Sequence, residues 1–406
     1  MPEVAGLRRD LLAVVRGRGG AQDESVAEAL LAVPRHVFVP DAAVEAAYRD
    51  EAIVTKRDGD GVPVSSSSQP TIMALMLDQL GVAPGHRVLE IGAGTGYNAA
   101  LLAHLVGPAG EVVSVDIDPQ VVDRAEVFLA AAGCPQVTVV CGDGAHGYPP
   151  AAPYDRIIAT VGVWDLAPAW LDQLAPGGRI VVPLDLHGAQ VSVAFERDGE
   201  RWVSRSQVPC GFMPLRGELA GPGMIHVLDR ATGLRLSVPD ERDIDHHGVS
   251  RALAGPGVVQ PVGMSGLRLD ECGGLGVWVA VTEPRSCGLS DEGHGAAELE
   301  HALLQSHGFR ATPGILDAAS IAVLGRRTGG TAECEVDACG YGPHGDRLAS
   351  DLAAQVQAWD AAGRPSAGRL RITAYPRDTP CPDDGIVLAK VHTRLVVAVQ
   401  PRSPHP

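Results

Sequence analysis

Apolar positions fall into short blocks that alternate in period along the first half of the chain. Val4, Leu7, Leu11, Leu12 and Val15 recur at helical spacing, which predicts a helix over 2–15. A second helix is predicted over 23–32. Pro34 and Pro40 then bracket Arg35-His36-Val37-Phe38-Val39, which reads as a short extended arm; His36 reads there as packing or surface rather than catalytic. Residues 56–68 are polar with two glycines and read as a loop ending in Ser65-Ser66-Ser67-Ser68-Gln69-Pro70. Ile72, Leu75, Met76 and Leu80 put an apolar face on a helix over 71–80. From there strands and helices alternate: strand 87–91, helix 98–106, strands 111–115, 137–140 and 153–159, helix 166–174, strand 179–183. Segments 190–196 and 202–209 alternate with period two around Arg197-Asp198-Gly199, the pattern of an antiparallel hairpin. Strands followed by crossover helices predict a doubly wound α/β sheet.

The pattern changes after Gly217. Gly221-Pro222-Gly223 reads as a linker, so the expected division is a first domain over 1–217, a linker over 218–224 and a smaller mixed α/β domain over 225–406. In the second part, 276–282 (Gly-Val-Trp-Val-Ala-Val-Thr) reads as a strand and 315–324 as a short apolar segment. Leu348, Leu352, Val356 and Trp359 form one stripe of a helix over 346–361, and 370–375 and 393–399 read as strands. His246-His247 follows the charged stretch 240–245 and reads as a solvated loop rather than a metal site.

The chemistry clusters at the ends of the first three strands of the doubly wound pattern. Strand 87–91 runs into Gly92-Ala93-Gly94-Thr95-Gly96 and then a helix. Glycines there let a ligand approach the backbone, and the helix N-terminus offers free N–H groups. The spacing is G-x-G-x-G rather than the dinucleotide G-x-G-x-x-G, and no P-loop lysine follows. Asp116 ends the second strand, placed to accept both hydroxyls of a ribose. Asp143, in Gly142-Asp143-Gly144, ends the third and can reach an exocyclic adenine amine. A glycine turn and two successive acids suit adenosine without a pyrophosphate, which points to S-adenosylmethionine. The serine run has two compatible readings: capping of the helix that starts at Pro70, or hydroxyls lining the site.

Composition narrows the partners. The 406 residues carry a formal net charge of −16, which argues against a phosphate backbone or an anionic membrane surface. No apolar run reaches the ~18 residues of a membrane span, and the first fifteen residues lack a signal-peptide core, so a cytoplasmic protein is expected. Eight cysteines without a C-x-x-C pair read as reduced thiols, and no metal is expected.

Val-Pro-Arg-His-Val-Phe-Val-Pro at 33–40, Ser-Gln-Pro at 68–70, Glu-Ile-Gly-Ala-Gly-Thr-Gly-Tyr at 90–97, Gly-Asp-Gly at 142–144 and Leu-Ala-Pro-Gly-Gly-Arg-Ile-Val-Val-Pro at 174–183 together resemble the protein-L-isoaspartate O-methyltransferase family over about residues 30–217. The resemblance implies a Rossmann-like methyltransferase fold. It implies cofactor contacts from Ser68, Gln69, Glu90, Gly92, Gly94, Thr95, Gly96, Tyr97, Asp116, Ile117, Gly142, Asp143, Gly144 and Thr160. It implies that Ser68 holds the methyl-accepting carboxylate, with Ser67 as the catalytic alternative and Ser65, Ser66, Val161 and Gly162 on the substrate side. Ile117 follows the acid where a polar contact is often made. The family's repair enzymes are expected to lack the long C-terminal part. The full chain looks like a variant subfamily associated with lanthipeptides and other ribosomally made, modified peptides, through Val277-Trp278-Val279-Ala280-Val281-Thr282-Glu283-Pro284 and Lys390-Val391-His392-Thr393-Arg394-Leu395. That resemblance implies methylation of an Asp in a modified precursor peptide, followed by aspartimide or isoaspartate; repair of isoaspartate is the alternative, and a non-catalytic binding module the reading from another class. A monomer is expected, and a chain ended near Gly217 is expected to keep cofactor binding.

Overall fold

The computed structural model describes residues 2–59, 61–264, 266–268, 271–291, 296–302, 304–306, 309–328, 333–382 and 385–400. The chain opens with α1 (Pro2–Gly17), α2 (Glu24–Ala32) and the short α3 (Val44–Ala47), then a hairpin of β1 (Ile53–Arg57) and β2 (Pro63–Ser67), and α4 (Pro70–Leu80). The alternating region follows as β3 (Arg87–Ile91), α5 (Tyr97–Val106), β4 (Glu111–Asp116), α6 (Pro119–Ala131), β5 (Thr138–Cys141), β6 (Tyr154–Ala159), α7 (Pro168–Gln173), β7 (Leu174–Asp185), β8 (Gln190–Asp198) and β9 (Arg201–Cys210). Strands β3 to β7 pair in parallel in the order β7-β6-β3-β4-β5. The order reverses between β6 and β3, so a crevice opens at their C-terminal ends, where ligands bind in this fold class. Helices α1, α2, α4 and α5 cover one face through Leu30, Leu77, Leu80, Leu101 and Leu102; the other face packs Trp170, Phe195 and Leu166. The fold class is the expected doubly wound α/β.

A second sheet follows, made by β10 (Met224–Asp229), β11 (Leu234–Val238), β12 (Val258–Pro261), β13 (Leu267–Arg268), β14 (Ser286–Asp291), β15 (Leu304–Ser306), β16 (Phe309–Asp317), β17 (Ser320–Thr328) and β18 (Glu333–Tyr341). Helix α8 (His246–Leu253) packs on one face, and α9 (Cys272–Thr282) and α10 (Gly345–Ala361) on the other. The chain then returns to the first sheet. Strands β19 (Leu370–Pro376), β20 (Ile386–Ala389) and β21 (Thr393–Val399) extend it as β20-β21-β19-β9-β8-β7, with Thr373 opposite Val203 and Ala374 opposite Trp202.

Four local expectations change. Residues 276–282 are helical, not extended. Helix α9 lies between two cores: Leu275 and Val279 face α10 and the second sheet, while Val277 and Val281 face the first. A helix buried on both sides is apolar all round and carries no 3.6-residue signal, so its run reads equally as a strand. Residues 56–68 form most of a hairpin, hidden because its strands are polar on both faces. The arm between Pro34 and Pro40 is a 3-10 turn over Arg35–Phe38 that buries both its ends. His246 and His247 begin α8, and His246 stacks on His226 with ring centres 5.0 Å apart.

The first sheet also crosses the expected boundary at 217. Residues 370–399 belong to the first sheet, where Ile372, Ala374, Leu395 and Val397 are buried. Ile372, Leu395 and Val397 each contribute about 1.5–3 kcal/mol. A chain ended at Gly217 exposes the apolar edge of β9 and loses these partners. It is expected to aggregate or melt far below the full chain in circular dichroism; a monomeric fragment with full-length melting would contradict this.

Candidate functional site

The site is assembled around a buried cation. Arg35 is fully buried, and its guanidinium donates to five carbonyls: Ala47 (2.7 Å), Arg49 (3.1 Å), Glu51 (2.9 Å), Ser68 (3.0 Å) and Ser67 (3.4 Å). Burial pulls its pKa down, opposed by the charge fields of Tyr97 and Asp50. Five donors in a fixed fork suit this role, which lysine could not fill. The clamp joins the 47–51 segment to the end of β2. Asp50 adds a second tie. Its carboxylate accepts from the Thr71 N–H (2.8 Å), the Thr71 hydroxyl (2.8 Å), Gln69 Nε2 (3.0 Å) and Arg18 (2.6 Å), and so caps α4 from outside the helix. The capping role expected of the serines belongs to Asp50.

The serine strand therefore has a fixed place. It lies against the glycine turn: a methyl group on Gly94 would sit 3.2 Å from the Ser66 carbonyl. Gly94 (φ +53°) and Gly92 (φ +97°) adopt the left-handed conformation that favours glycine, and a Cβ on Gly92 would clash with Val161 at 2.8 Å. Ser65 is bonded to Thr55 (3.2 Å), Ser66 and Ser68 are half-buried, and the enclosed Ser67 hydroxyl has no partner.

Asp116 ends β4 beside the same turn. One oxygen accepts from Gly94 N and the other from Asp118 N, both at 3.1 Å, and burial raises its pKa against these bonds. Lys56 of the serine hairpin reaches Asp118 at 2.6 Å and Gln120 at 2.9 Å, and Arg216 lies 3.8 Å from Asp118. Three segments thus converge on the acid. Ile117 is 36% exposed next to it and offers an apolar face. Gly142 borders open space. Gly144 is buried against Ile91 and accepts from Trp170 Nε1 (2.7 Å). Asp143 accepts from Ala145 N (2.9 Å) and Glu218 N (2.9 Å), with Gly217 packed against its carboxylate. It anchors the 216–218 loop, and an adenine amine would share its remaining lone pairs. Thr160 donates to the Gly92 carbonyl (2.6 Å) and props the turn. Gly162 pairs with Met213 and Leu215 (2.7 and 2.8 Å). Thr95 and Gly96 complete the turn, Thr95 being buried.

Three residues expected at the cofactor are engaged elsewhere. Glu90 is fully buried beneath the turn and accepts from Ser114 Oγ (2.5 Å) and Asn98 Nδ2 (2.7 Å), tying β3, β4 and α5 together. Tyr97 is buried against Phe38 and the Arg35 guanidinium. Gln69 spends its amide on Asp50. Glu90 is inside because both faces of β3 are covered, Val88 on one side and Leu89 and Ile91 on the other. Arg35, Asp50 and Lys56 were not assigned; a charged residue in the apolar run between Pro34 and Pro40 was the one visible hint.

The cradle suits adenosine: two turn glycines no larger residue can replace, a carboxylate beside them and an exposed aliphatic next to it. Residues 7–220 match the family model described as protein-L-isoaspartate(D-aspartate) O-methyltransferase (PCMT). The chain belongs to this family. It is 40% identical over 213 residues to the protein-L-isoaspartate O-methyltransferase of Methanopyrus kandleri (strain AV19), covering 52% of this chain and 92% of that one. It is 35% identical over 239 residues to the protein of the same name from Thermotoga maritima, covering 58% and 73%. A solved protein-L-isoaspartate O-methyltransferase superposes over 90% of this chain and 96% of its own with TM-score 0.50 and 25% identity. That overlap corrects one expectation: the C-terminal half does not set this chain apart from proteins of that name. Membership makes the chain an S-adenosylmethionine-dependent carboxyl O-methyltransferase of proteins or peptides. Among the described residues no group of three His, Cys, Asp or Glu side chains could hold a metal, and no helix is long and apolar enough to cross a membrane.

Burial pushes the Glu90 pKa up to about 7 against its bonds to Ser114 and Asn98. The unfolded chain releases this proton first as pH rises from about 4.5, so the group's contribution falls between about pH 4.5 and 7, by roughly 3 kcal/mol. Glu90→Gln removes the titration; its Oε1 can accept from Asn98 while its Nε2 donates to Ser114 Oγ, which reverses that bond. Its denaturant stability should lack that fall; an unchanged pH profile would contradict the assignment.

Proposed function

We propose that the enzyme methylates the side-chain carboxylate of an Asp in a modified precursor peptide, and that Ser68 holds that carboxylate. The observation that carries the reading is the seat of the C-terminal tail. The 390–395 segment, which bears the resemblance to the peptide-modifying subfamily, packs on the loop after β6: Asp165 accepts from His392 N (2.5 Å) and the Thr393 hydroxyl (2.6 Å). The second half of the chain thus packs on the loop that Thr160 ties to the glycine turn, and it can lengthen the surface offered to a ring-bearing peptide. Repair of isoaspartyl protein is the second reading, favoured by the solved relative that shares both halves of this fold.

A carboxylate with a reference pKa near 4 is already anionic at neutral pH and needs no general base. When bound, S-adenosylmethionine supplies a sulfonium methyl. Asp116 and the Gly92–Gly96 turn would hold its nucleoside. The remaining work is positional: one carboxylate oxygen kept in line at about 3 Å and water excluded. Ser68 lies half-buried next to the turn, and Arg35 fixes its backbone carbonyl, so its hydroxyl is the donor proposed for the carboxylate. Ring closure by the following backbone nitrogen then expels methanol and leaves a succinimide, with no protein group required.

Mass spectrometry of two substrates separates the readings. A cyclised precursor bearing L-Asp is expected to gain 14 Da transiently and then lose methanol, roughly tenfold faster than a generic isoaspartyl peptide, a preference of ~1.4 kcal/mol. Methylation of the isoaspartyl peptide alone overturns the precursor reading. Ser68→Ala should lower turnover roughly ten- to a thousandfold with S-adenosylmethionine affinity within twofold. Full activity would pass the role to Ser67, whose enclosed hydroxyl lacks a partner.

A further inference from the structure

Lys390 leaves the tail between β20 and β21 and enters the protein, with 3% of its surface exposed. Its ammonium makes two contacts. It donates to the Asp185 carbonyl at 2.9 Å, and it lies 3.1 Å from the centre of the Trp164 ring. A lysine is costly to bury, and the tail does not need it for attachment. Asp165, fully buried, already binds the neighbouring His392 N–H and Thr393 hydroxyl, and β20 and β21 are paired strands. For stability alone an apolar residue of similar length would serve as well or better. What the cation adds is a fixed indole. Trp164 is half-buried; Lys390 holds its face, and Gly221 is packed so closely on it that a Cβ there would lie 2.8 Å from the Trp164 Cβ.

The loop that carries Trp164 leaves the end of β6 and passes over the end of β7, where Val163 pairs with Leu184. Its first residue, Thr160, bonds the glycine turn, and Gly162 pairs with the 213–215 segment. The cofactor end of the loop is therefore held from within the methyltransferase sheet, and the far end is held by the tail. We infer that Lys390 is a positioning residue for peptide binding: by seating its ammonium on Trp164 it fixes the wall that the loop after β6 presents to the peptide. The inference rests on methyl transfer to a peptide carboxylate and not on which peptide is used.

Three ionisable groups face this ammonium: Asp185 at the end of β7, His187 in the turn that follows, and Asp165 on the loop. Burial brings Lys390 down to about 8, opposed by Asp185 and Asp165. Burial also lowers His187, and Asp240 opposes that. The cation is thus present at pH 7 and lost by pH 9, while His187 is neutral across that range.

The test uses the full chain and whichever of the two peptides above is methylated. In the wild type the peptide KM should rise roughly five- to thirtyfold between pH 7 and 9, the scale of one desolvated cation–π contact. Lys390→Met should show the high KM at both pH values, with kcat and S-adenosylmethionine affinity within twofold. Lys390→Arg keeps its charge throughout and should hold KM flat. Tryptophan fluorescence reads the contact without turnover: a step near pH 8 in the wild type should vanish in Lys390→Met and in Trp164→Leu. A wild-type KM in Lys390→Met overturns the inference, as does a parallel loss of kcat and cofactor affinity. If Lys390→Met fails to fold, Trp164→Leu must reproduce the raised, pH-independent KM; a wild-type KM there also overturns it. Absence of the fluorescence step in the wild type overturns it whichever peptide is a substrate.

Discussion

One buried guanidinium holds the serine strand in place beside the glycine turn. Arg35 has no carboxylate partner within hydrogen-bond reach; both its terminal nitrogens donate to carbonyls of the 47–51 segment and the end of β2, and its Nε is enclosed without a partner. A cation fully removed from water requires near-complete hydrogen bonding, so those carbonyls cannot drift without leaving it exposed to a large penalty. The end of β2 inherits that rigidity. Arg35 fixes the carbonyls of Ser67 and Ser68, directly after the Ser66 carbonyl that lies against Gly94. Asp50 works in the same direction from the other side, by capping α4 and holding Gln69.

The cofactor side uses a different device. Its geometry comes from backbone conformation, with Gly92 and Gly94 in the left-handed region, and from Glu90 buried below them. Glu90 binds strand, strand and helix into one unit at a site where a leucine would leave Ser114 and Asn98 unsatisfied. The two halves of the site are then joined by Lys56 and Asp118, the hairpin reaching across to the N-terminus of α6. Burial alone would raise Asp118, but Lys56 and the N–H groups of Val121 and Gln120 hold it below the usual carboxylate range.

Much of this was legible in the sequence, for physical reasons that also explain the failures. Parallel strands buried on both faces read as apolar runs, and the glycine turn and Asp116 follow them at fixed offsets, so the cofactor crevice was readable. The hairpin before Pro70 was not, because Lys56, Arg57 and Ser65 to Ser67 give its strands no apolar alternation. Helix α9 was misread for the opposite reason: two cores enclose it, and it has no polar stripe. The return of β19 to β9 depends on a pairing across some 170 residues of chain, which no local pattern encodes. The same holds for Lys390 and Asp165: each reads as an ordinary surface charge until the tail folds back on the loop after β6.

Methyl transfer to a carboxylate oxygen makes a base-labile ester. The most direct measurement is the chemical lability of the transferred group. Enzyme, peptide and S-adenosylmethionine labelled in the methyl group are incubated, and the peptide is then held in mild base, with Asp116→Ala as control. An ester releases its label as volatile methanol, and the control should transfer little label. Label that stays on the peptide through base treatment marks an N- or S-methyl group and would contradict the account, as would equal transfer by the control.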